Sequence, residues 1–243
     1  MANKQSYLWS ELTREGVASW VDKGAVVIVP IGSTEQHGRH LPVSTDCRTV
    51  DAVSRRLAES LPDVPVLVAP LLPIGVSPHH MMYGPGTISL GVETVVRMVG
   101  DICESLIAQG FERILFLSGH GGNRNTLQAA ANELKHRRRR QIEALCWWDL
   151  CPEIWDQVRE GPDVTISHSG EMETSAMLAV APETVRTDRL EWVLGMTDDP
   201  SLATLDKGEA VIEAALVSLA VYVRVLAARP GREVVGIERA PIE

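Results

Sequence analysis

The chain has 243 residues and a formal charge of −9, with 45% apolar and 23% charged residues. This composition is ordinary for a globular protein, and the length suits one large α/β domain more simply than two small ones. The negative charge argues against binding to nucleic acid or to an anionic membrane, because both attract positive charge. We therefore expect a single domain over residues 1–243, with no nucleic-acid or membrane partner.

Further features of the sequence limit the partners of the chain and the compartment in which we expect it. The basic run at residues 136–140 (HRRRR) follows a helical pattern, which indicates a solvated helix end. The four cysteines have no CxxC spacing, and in a chain this long they favour a reduced compartment over a disulfide framework. The N-terminus lacks the apolar segment of a signal peptide, and no uncharged apolar run reaches about 18 residues. These features predict a cytoplasmic protein.

Short β-branched apolar runs alternate with longer helical patterns along the chain. Residues 25–31 predict a buried strand that ends at Gly32, and residues 46–61 predict a helix with Asp46 as a possible N-cap. The other predicted strands are residues 64–75, 113–123 and 142–148, and the other predicted helices are residues 90–110, 125–136, 170–182 and 208–228. Residues 186–206 are polar and irregular. This alternation predicts a mostly parallel sheet with helices on both faces.

Acids and imidazoles follow the ends of the predicted strands. In parallel α/β sheets, ligands bind beyond the carboxyl ends of the strands. The polar residues at those ends are Glu35, His37 and Asp46, then Ser77, His79 and His80, then His120, and finally His168, Glu171 and Glu173. Carboxylates and imidazoles together are ligands of zinc, manganese and iron. Several carboxylates favour two metal ions, because one carboxylate can bridge the ions and two cations neutralise the crowded charge.

Each of these residues taken alone has a simpler explanation. Asp46 can serve only as a helix N-cap, and His120 can simply bond a backbone carbonyl. The GHGGN run can be a tight turn or a weak phosphate-binding loop, although it lacks the GxGxxG and GxxxxGK[ST] patterns of nucleotide sites. The occurrence of acids and imidazoles at three or more strand ends on one edge favours a metal site over these alternatives.

Four sequence blocks stand in order along the chain: GSTEQHGRHLPVSTD, GVSPHHMMYGPGTIS, LSGHGGN and HSGEMETS. Together they resemble the blocks of the creatininase (creatinine amidohydrolase) family, and the likeness runs from about residue 8 to residue 185. The resemblance implies a three-layer α/β/α sandwich with a mostly parallel central sheet. It also implies a two-metal amidohydrolase site and a closed homo-oligomer, typically a hexamer.

The resemblance also implies which residues hold the metals. Glu35, His37, Asp46 and His120 match the family's ligands, with Asp46 as the bridge. Glu35, Asp46 and His120 would bind one ion. His37 and Asp46 would bind the other, together with a carboxylate that we infer to be Glu171. Two divalent ions per chain are expected, with zinc as the first choice and manganese or iron as alternatives.

The third block departs from creatininase proper, which reads Gly-His-Tyr-Glu-Asn at this point. Gly122 stands where creatininase has a metal-binding Glu, and Gly121 replaces the Tyr that contacts creatinine, so Gly121 is expected to border the substrate. The fourth block gains Glu171, and we infer that it supplies the missing carboxylate. Glu173 is common to both patterns. For this residue two roles stay open: it orients a ligand histidine through a hydrogen bond, or it binds the metal directly.

The expected activity is hydrolysis of a non-peptide C–N bond, in a cyclic amide or an N-formyl group, by hydroxide held between the metals. The expected catalytic residues are His168, which would protonate the leaving nitrogen, and Glu171; Ser77 would contact the small-molecule amide. Relatives with the GHGGN block include deformylases of pyrimidine intermediates and a peptidase of a redox-peptide maturation pathway. The alternatives are creatinine hydrolysis proper, short-peptide cleavage by the same metals, and non-catalytic metal binding.

Overall fold

A computed structural model describes residues 6–162 and 168–231. The remaining residues, including both ends of the expected domain 1–243, lie outside the described part of the chain. The helices and strands are, in chain order, α1 (Arg14–Asp22), β1 (Val26–Ile31), α2 (Thr45–Glu59), β2 (Val66–Val68), α3 (Val92–Ala108), β3 (Arg113–Ser118), α4 (Arg124–Arg138), β4 (Gln141–Cys146), α5 (Pro152–Val158), α6 (Glu171–Val180) and α7 (Leu205–Ala228).

The four strands form one parallel sheet in the order β2–β1–β3–β4, as the sequence pattern predicts. All residues of β1 are buried, which explains why its sequence is an uninterrupted apolar run. β2 is shorter than predicted. Pro65 and Pro70 flank it closely, and proline cannot donate a hydrogen bond to a strand ladder.

Alternate residues of β1 face two different helical layers. Val26 and Ile28 pack into a core that includes side chains of α2, α6 and α7. Val27 and Val29 pack on the other face, against α3 and α4. Because successive side chains of a strand point to opposite faces, one apolar strand serves both cores. The predicted three-layer α/β/α sandwich is confirmed.

Two short helices were not predicted from the sequence. No residue of α1 is buried, so this helix has no strong apolar stripe to reveal it, although the Thr13 side chain caps it. α5 has only 7 residues, too few to establish a helical period. The basic run ends α4 as expected: the helix stops at Arg138, and Arg139 adopts a left-handed conformation with φ 53°.

Two glycines allow the start of α2 to approach the strand ends. A Cβ added to Gly32 would lie 2.8 Å from the backbone nitrogen of Cys47, and one added to Gly119 would lie 2.1 Å from the carbonyl oxygen of Asp46. Neither position has room for a side chain. This contact places Asp46, in the first turn of α2, at the carboxyl edge of β1 and β3.

The last helix, α7, combines a buried and an exposed apolar face. Val211 and Leu219 belong to the core, whereas Val217 and Val221 are 58% and 60% exposed. By length and composition alone, with a mean hydropathy of 2.0, α7 could cross a membrane. A single such helix is weak evidence, because the core helices of globular proteins share the same composition.

Candidate metal centre

Carboxylates and imidazoles meet at the carboxyl edge of the sheet. Asp46 lies between two imidazoles, with Oδ1 3.2 Å from His37 Nε2 and Oδ2 3.1 Å from His120 Nδ1. Glu35 Oε2 lies 3.3 Å from His120 Nδ1, and Glu173 Oε2 lies 3.4 Å from His37 Nε2. The five side chains therefore form two groups that share Asp46, and within each group the candidate ligand atoms lie within 4.8 Å of one another.

The main chain fixes how both imidazoles face the cluster. His37 Nδ1 lies 3.1 Å from the carbonyl oxygen of Glu35, and His120 Nε2 lies 3.1 Å from that of Val76. A ring N–H that donates to a carbonyl leaves the other ring nitrogen available as a ligand, the usual arrangement in metal sites. His37 Nε2 and His120 Nδ1 are thus the nitrogens presented to a metal.

Buried atoms of the cluster show that its residues fit divalent metal ions. Glu35 Oε1, His37 Nε2 and Asp46 Oδ2 have no hydrogen-bond partner within the described residues. Leaving such atoms buried and unpaired is costly, and coordination to a cation removes that cost. A donor set of carboxylates and imidazoles suits zinc, manganese or iron.

The electrostatics of the cluster also favour cations. Burial raises the pKa of the Glu35 and Asp46 carboxyls, but the neighbouring imidazoles outweigh burial and hold both pKa values below their usual range. Burial lowers the pKa of His120, but Asp46 and Glu35 outweigh burial and raise that pKa to about 10. The pKa of His37 is likewise raised well above its usual value, by Asp46 and Glu173 against burial. The carboxylates therefore stabilise positive charge at the position where metal ions would bind.

Glu171 lies outside the cluster, so the prediction that it supplies a metal ligand and a catalytic group is wrong. Its carboxylate is buried, with Oε1 2.6 Å from Lys207 Nζ, and it accepts hydrogen bonds from the backbone N–H groups of Glu160 and Gly161. Residues two apart on a helix point about 200° apart, so only one acid of GEMETS can face the sheet edge. That acid is Glu173, the alternative that the sequence left open.

Gly122 has no room for the carboxylate that creatininase proper carries at this position. A Cβ there would lie 2.4 Å from His120 Nε2 and 2.6 Å from the carbonyl oxygen of Val76. The bond between His120 and Val76 therefore occupies this space. A carboxylate for the His37 side of the cluster has to come from another element, and α6 brings Glu173 there.

His168 borders the cluster and remains partly exposed. Its Nδ1 lies 3.3 Å from Glu35 Oε1, and its Nε2 lies 2.8 Å from the carbonyl oxygen of Gln36. Reciprocal hydrogen bonds to Thr197 hold its main chain, because His168 N donates to Thr197 Oγ1 at 2.8 Å and Thr197 N donates to His168 O at 3.1 Å. The loop that contains Thr197 thus sets the position of His168.

Ser77 does not occupy the place expected of a substrate contact. Its side chain is fully buried, and its hydroxyl donates a hydrogen bond to the Glu35 carboxylate. Ser77 therefore orients the Glu35 carboxylate through this hydrogen bond. Gly121, by contrast, borders the cavity above the cluster.

The cavity above the cluster, of about 430 Å³, includes residues that the sequence analysis did not assign to the site. His80, which the sequence analysis placed at a strand end without a role, stacks its ring on that of His168 at a centroid distance of 3.8 Å. Trp192 and Leu194, which are 54% and 74% exposed, line its rim. They lie in the irregular region 186–206, where no periodicity indicated a role.

The fold and this cluster define a class: three-layer α/β/α proteins with a candidate two-metal centre at the carboxyl edge of a parallel sheet. Residues 10–223 match the sequence model of the family described as Creatininase, creatinine amidohydrolase. The chain belongs to the creatininase family.

Individual relatives and structures agree with this assignment. The chain is 36% identical to the mycofactocin precursor peptide peptidase of Mycobacterium ulcerans (strain Agy99) over 172 residues, which cover 68% of this chain but only 62% of that relative. It is 32% identical to the creatinine amidohydrolase of Pseudomonas putida over 203 residues, 76% of each chain.

Two solved structures, a manganese creatininase and a mutant creatininase of the Zn–Zn type, are each 27% identical to the chain and give TM-scores of 0.79 and 0.80. They cover 92% and 93% of this chain, which in turn covers 100% of each.

Proposed function

We propose that the chain is a hydrolase that cleaves an amide C–N bond with two divalent metal ions. The observation that carries this proposal is the placement of Asp46, whose two oxygens face His37 and His120 at 3.2 and 3.1 Å. The ligands of one ion would be Glu35, Asp46 and His120, and those of the other His37, Asp46 and Glu173. When bound, such ions lower the pKa of a coordinated water and polarise the amide carbonyl. The manganese and Zn–Zn forms of the similar structures support zinc or manganese, and iron suits the same donors.

Other residues of the chain orient the metal ligands and supply the proton that the leaving group needs. Ser77 holds the Glu35 carboxylate by a hydrogen bond, and the carbonyl of Gln36 fixes the ring of His168. His168 Nδ1 then faces the cluster beside Glu35, at the edge of the open cavity. From this position His168 would protonate the leaving nitrogen.

The proposed substrate is a non-peptide amide, either an N-formyl group or a cyclic amide. Support comes from the cavity of about 430 Å³ over the cluster and from Gly121 and Gly122, which place no side chain in its lining. After reconstitution with zinc or manganese, we expect turnover of N-formyl amines or cyclic amides, measured by release of formate or by ring opening. Asp46→Asn should abolish it. Bound metal with no turnover on any amide or peptide tested would support non-catalytic metal binding instead.

Cleavage of a short peptide is the second candidate, and two observations favour it. Trp192 and Leu194 form an exposed apolar rim beside the cluster, and the Mycobacterium ulcerans relative is named a peptidase. Short peptides with apolar residues belong in the same assay panel, together with creatinine. A kcat/KM for peptides above that for every formamide and cyclic amide would select this candidate.

We also propose a cytoplasmic homo-oligomer, with a hexamer as the specific expectation. The exposed valines of α7 support assembly, because apolar surface of this kind gains from being covered. All four cysteines, Cys47, Cys103, Cys146 and Cys151, are buried and form no disulfide, which supports a reducing compartment.

A further inference from the structure

A second cavity meets the metal-site cavity at Gly121. It has a volume of about 470 Å³, compared with about 430 Å³ for the cavity over the cluster, and Gly121 lines both. A Cβ added to Gly121 would meet no atom within 4 Å, and its backbone is not left-handed. The position therefore has room for a side chain, which would border both cavities.

The lining of this second cavity is apolar and aromatic over most of its surface. Trp148, Trp155 and Met172 are at least nine-tenths buried, and Ile154 is partly buried beside them. Flat apolar groups gain most from such walls, because aromatic side chains offer large contact area with a defined stacking geometry. The wall next to Gly121 is polar: Arg124 forms an ion pair there with Asp149.

Trp148 Nε1 and Arg124 Nε have almost no accessible surface, so a group in the cavity meets the aromatic faces and apolar edges of the lining rather than these donors. The cavity is therefore suited to a flat, largely apolar group.

From these observations we propose that the cavity beyond Gly121 is a substrate subsite, which binds a planar, largely apolar substituent while the amide lies over the metal cluster. This inference rests on the proposed amide hydrolysis and adds the class of substrate. Hydrolysis would add water across the C–N bond, so that the carbonyl carbon leaves as a carboxylate and the nitrogen as an amine. The substituent would remain attached to one of these products.

Binding tests the subsite without relying on catalysis. The probes are N-quinolinylformamide, N-naphthylformamide and N-methylformamide, titrated calorimetrically into the protein with and without added zinc. We expect both bicyclic probes to bind the metal-free protein more tightly than N-methylformamide does, because only they fill the apolar cavity. Ile154→Trp, which fills the cavity, should weaken their binding about 10-fold or more. Val92→Trp, at a 52% exposed position on α3, is the matched control and should leave it unchanged.

Turnover tests the connection at Gly121. In Gly121→Leu, the ratio of kcat/KM for N-naphthylformamide to that for N-methylformamide should fall at least about 10-fold, because the added side chain takes up space where the two cavities share their lining. Absence of bicyclic binding to the metal-free protein, or equal binding by wild type and Ile154→Trp, would overturn the subsite. Bicyclic binding that responds to Ile154→Trp, without turnover of any probe, would retain the subsite and reject the proposed hydrolysis of formamides.

Discussion

Among single residues, the two acids of GEMETS, Glu171 and Glu173, should differ most in their contribution to metal affinity. Glu173→Gln removes an anionic ligand candidate from His37's side of the cluster, so the affinity for one metal ion should fall about 10-fold or more. Glu171→Gln is the matched control: its carboxylate binds Lys207, so metal affinity should stay near that of the wild type. Competition titrations with a chromophoric chelator, together with elemental analysis, measure both. Equal losses of metal in the two variants would contradict the assignment of Glu173.

A second residue-scale prediction concerns His168, which borders the cluster and faces the cavity. If it protonates the leaving nitrogen, His168→Ala should lower kcat by about 10²–10⁴. Metal content should stay unchanged, because the five proposed ligands remain. The alternative is that His168 itself binds a metal ion, because its Nδ1 lies 3.3 Å from Glu35 Oε1. Loss of one metal ion together with activity in His168→Ala would show this.

Sequence position predicted four of the clustered residues, because Glu35, His37, Asp46 and His120 directly follow strands or begin a helix at the sheet edge. The choice between Glu171 and Glu173 failed for a physical reason. It depends on the rotation of α6 about its own axis, which is set by how its apolar side chains pack in the core. Sequence spacing shows that the two acids point apart, but not which of them faces the cluster.

At the scale of elements, a buried ion pair joins α7 to α6. Lys207→Met would leave the Glu171 carboxylate buried without its cation, so the free energy of unfolding should fall by about 3–5 kcal/mol. The double variant Glu171→Gln/Lys207→Met removes both charges and should be more stable than Lys207→Met alone. Urea unfolding of wild type, the two single variants and the double variant gives this cycle. Additive losses would show that the two residues do not interact.

The well-predicted elements are strands buried on both faces and long helices with one continuous buried face, because both leave a clear hydrophobic pattern in the sequence. β1, β4, α2, α3, α4 and α7 agree with the expected ranges to within three residues, whereas β3 ends at Ser118, before the GHGGN turn that the prediction included. The structure departs from the sequence expectation where local packing decides: β2 is cut short between prolines, and α1 has no buried residue. Short or weakly buried elements leave little periodicity to detect.

At the scale of the whole molecule, the exposed face of α7 predicts how copies assemble. Val217, Val221 and Val225 are spaced four residues apart and are 49–60% exposed, so they form an apolar stripe. We expect a hexamer by light scattering at micromolar concentration, and Val221→Glu should shift it to smaller species. Val92→Glu, at a site 52% exposed on α3, is the control and should not. A wild-type monomer would refute the assembly, and an unchanged hexamer in Val221→Glu would place the interface elsewhere.

The hydrogen bonds from His37 and His120 to main-chain carbonyls have a consequence for how such a protein diverges. A point mutation can delete a side-chain partner, but it cannot delete a carbonyl oxygen of the backbone. These two hydrogen bonds therefore persist as long as the backbone conformation is conserved, whichever side chains surround the imidazoles. Substitutions around the cavity, such as those at Gly121 or Trp192, can accumulate without releasing either ring. Descendants of one ancestral centre can in this way acquire new substrates while the geometry of the centre persists.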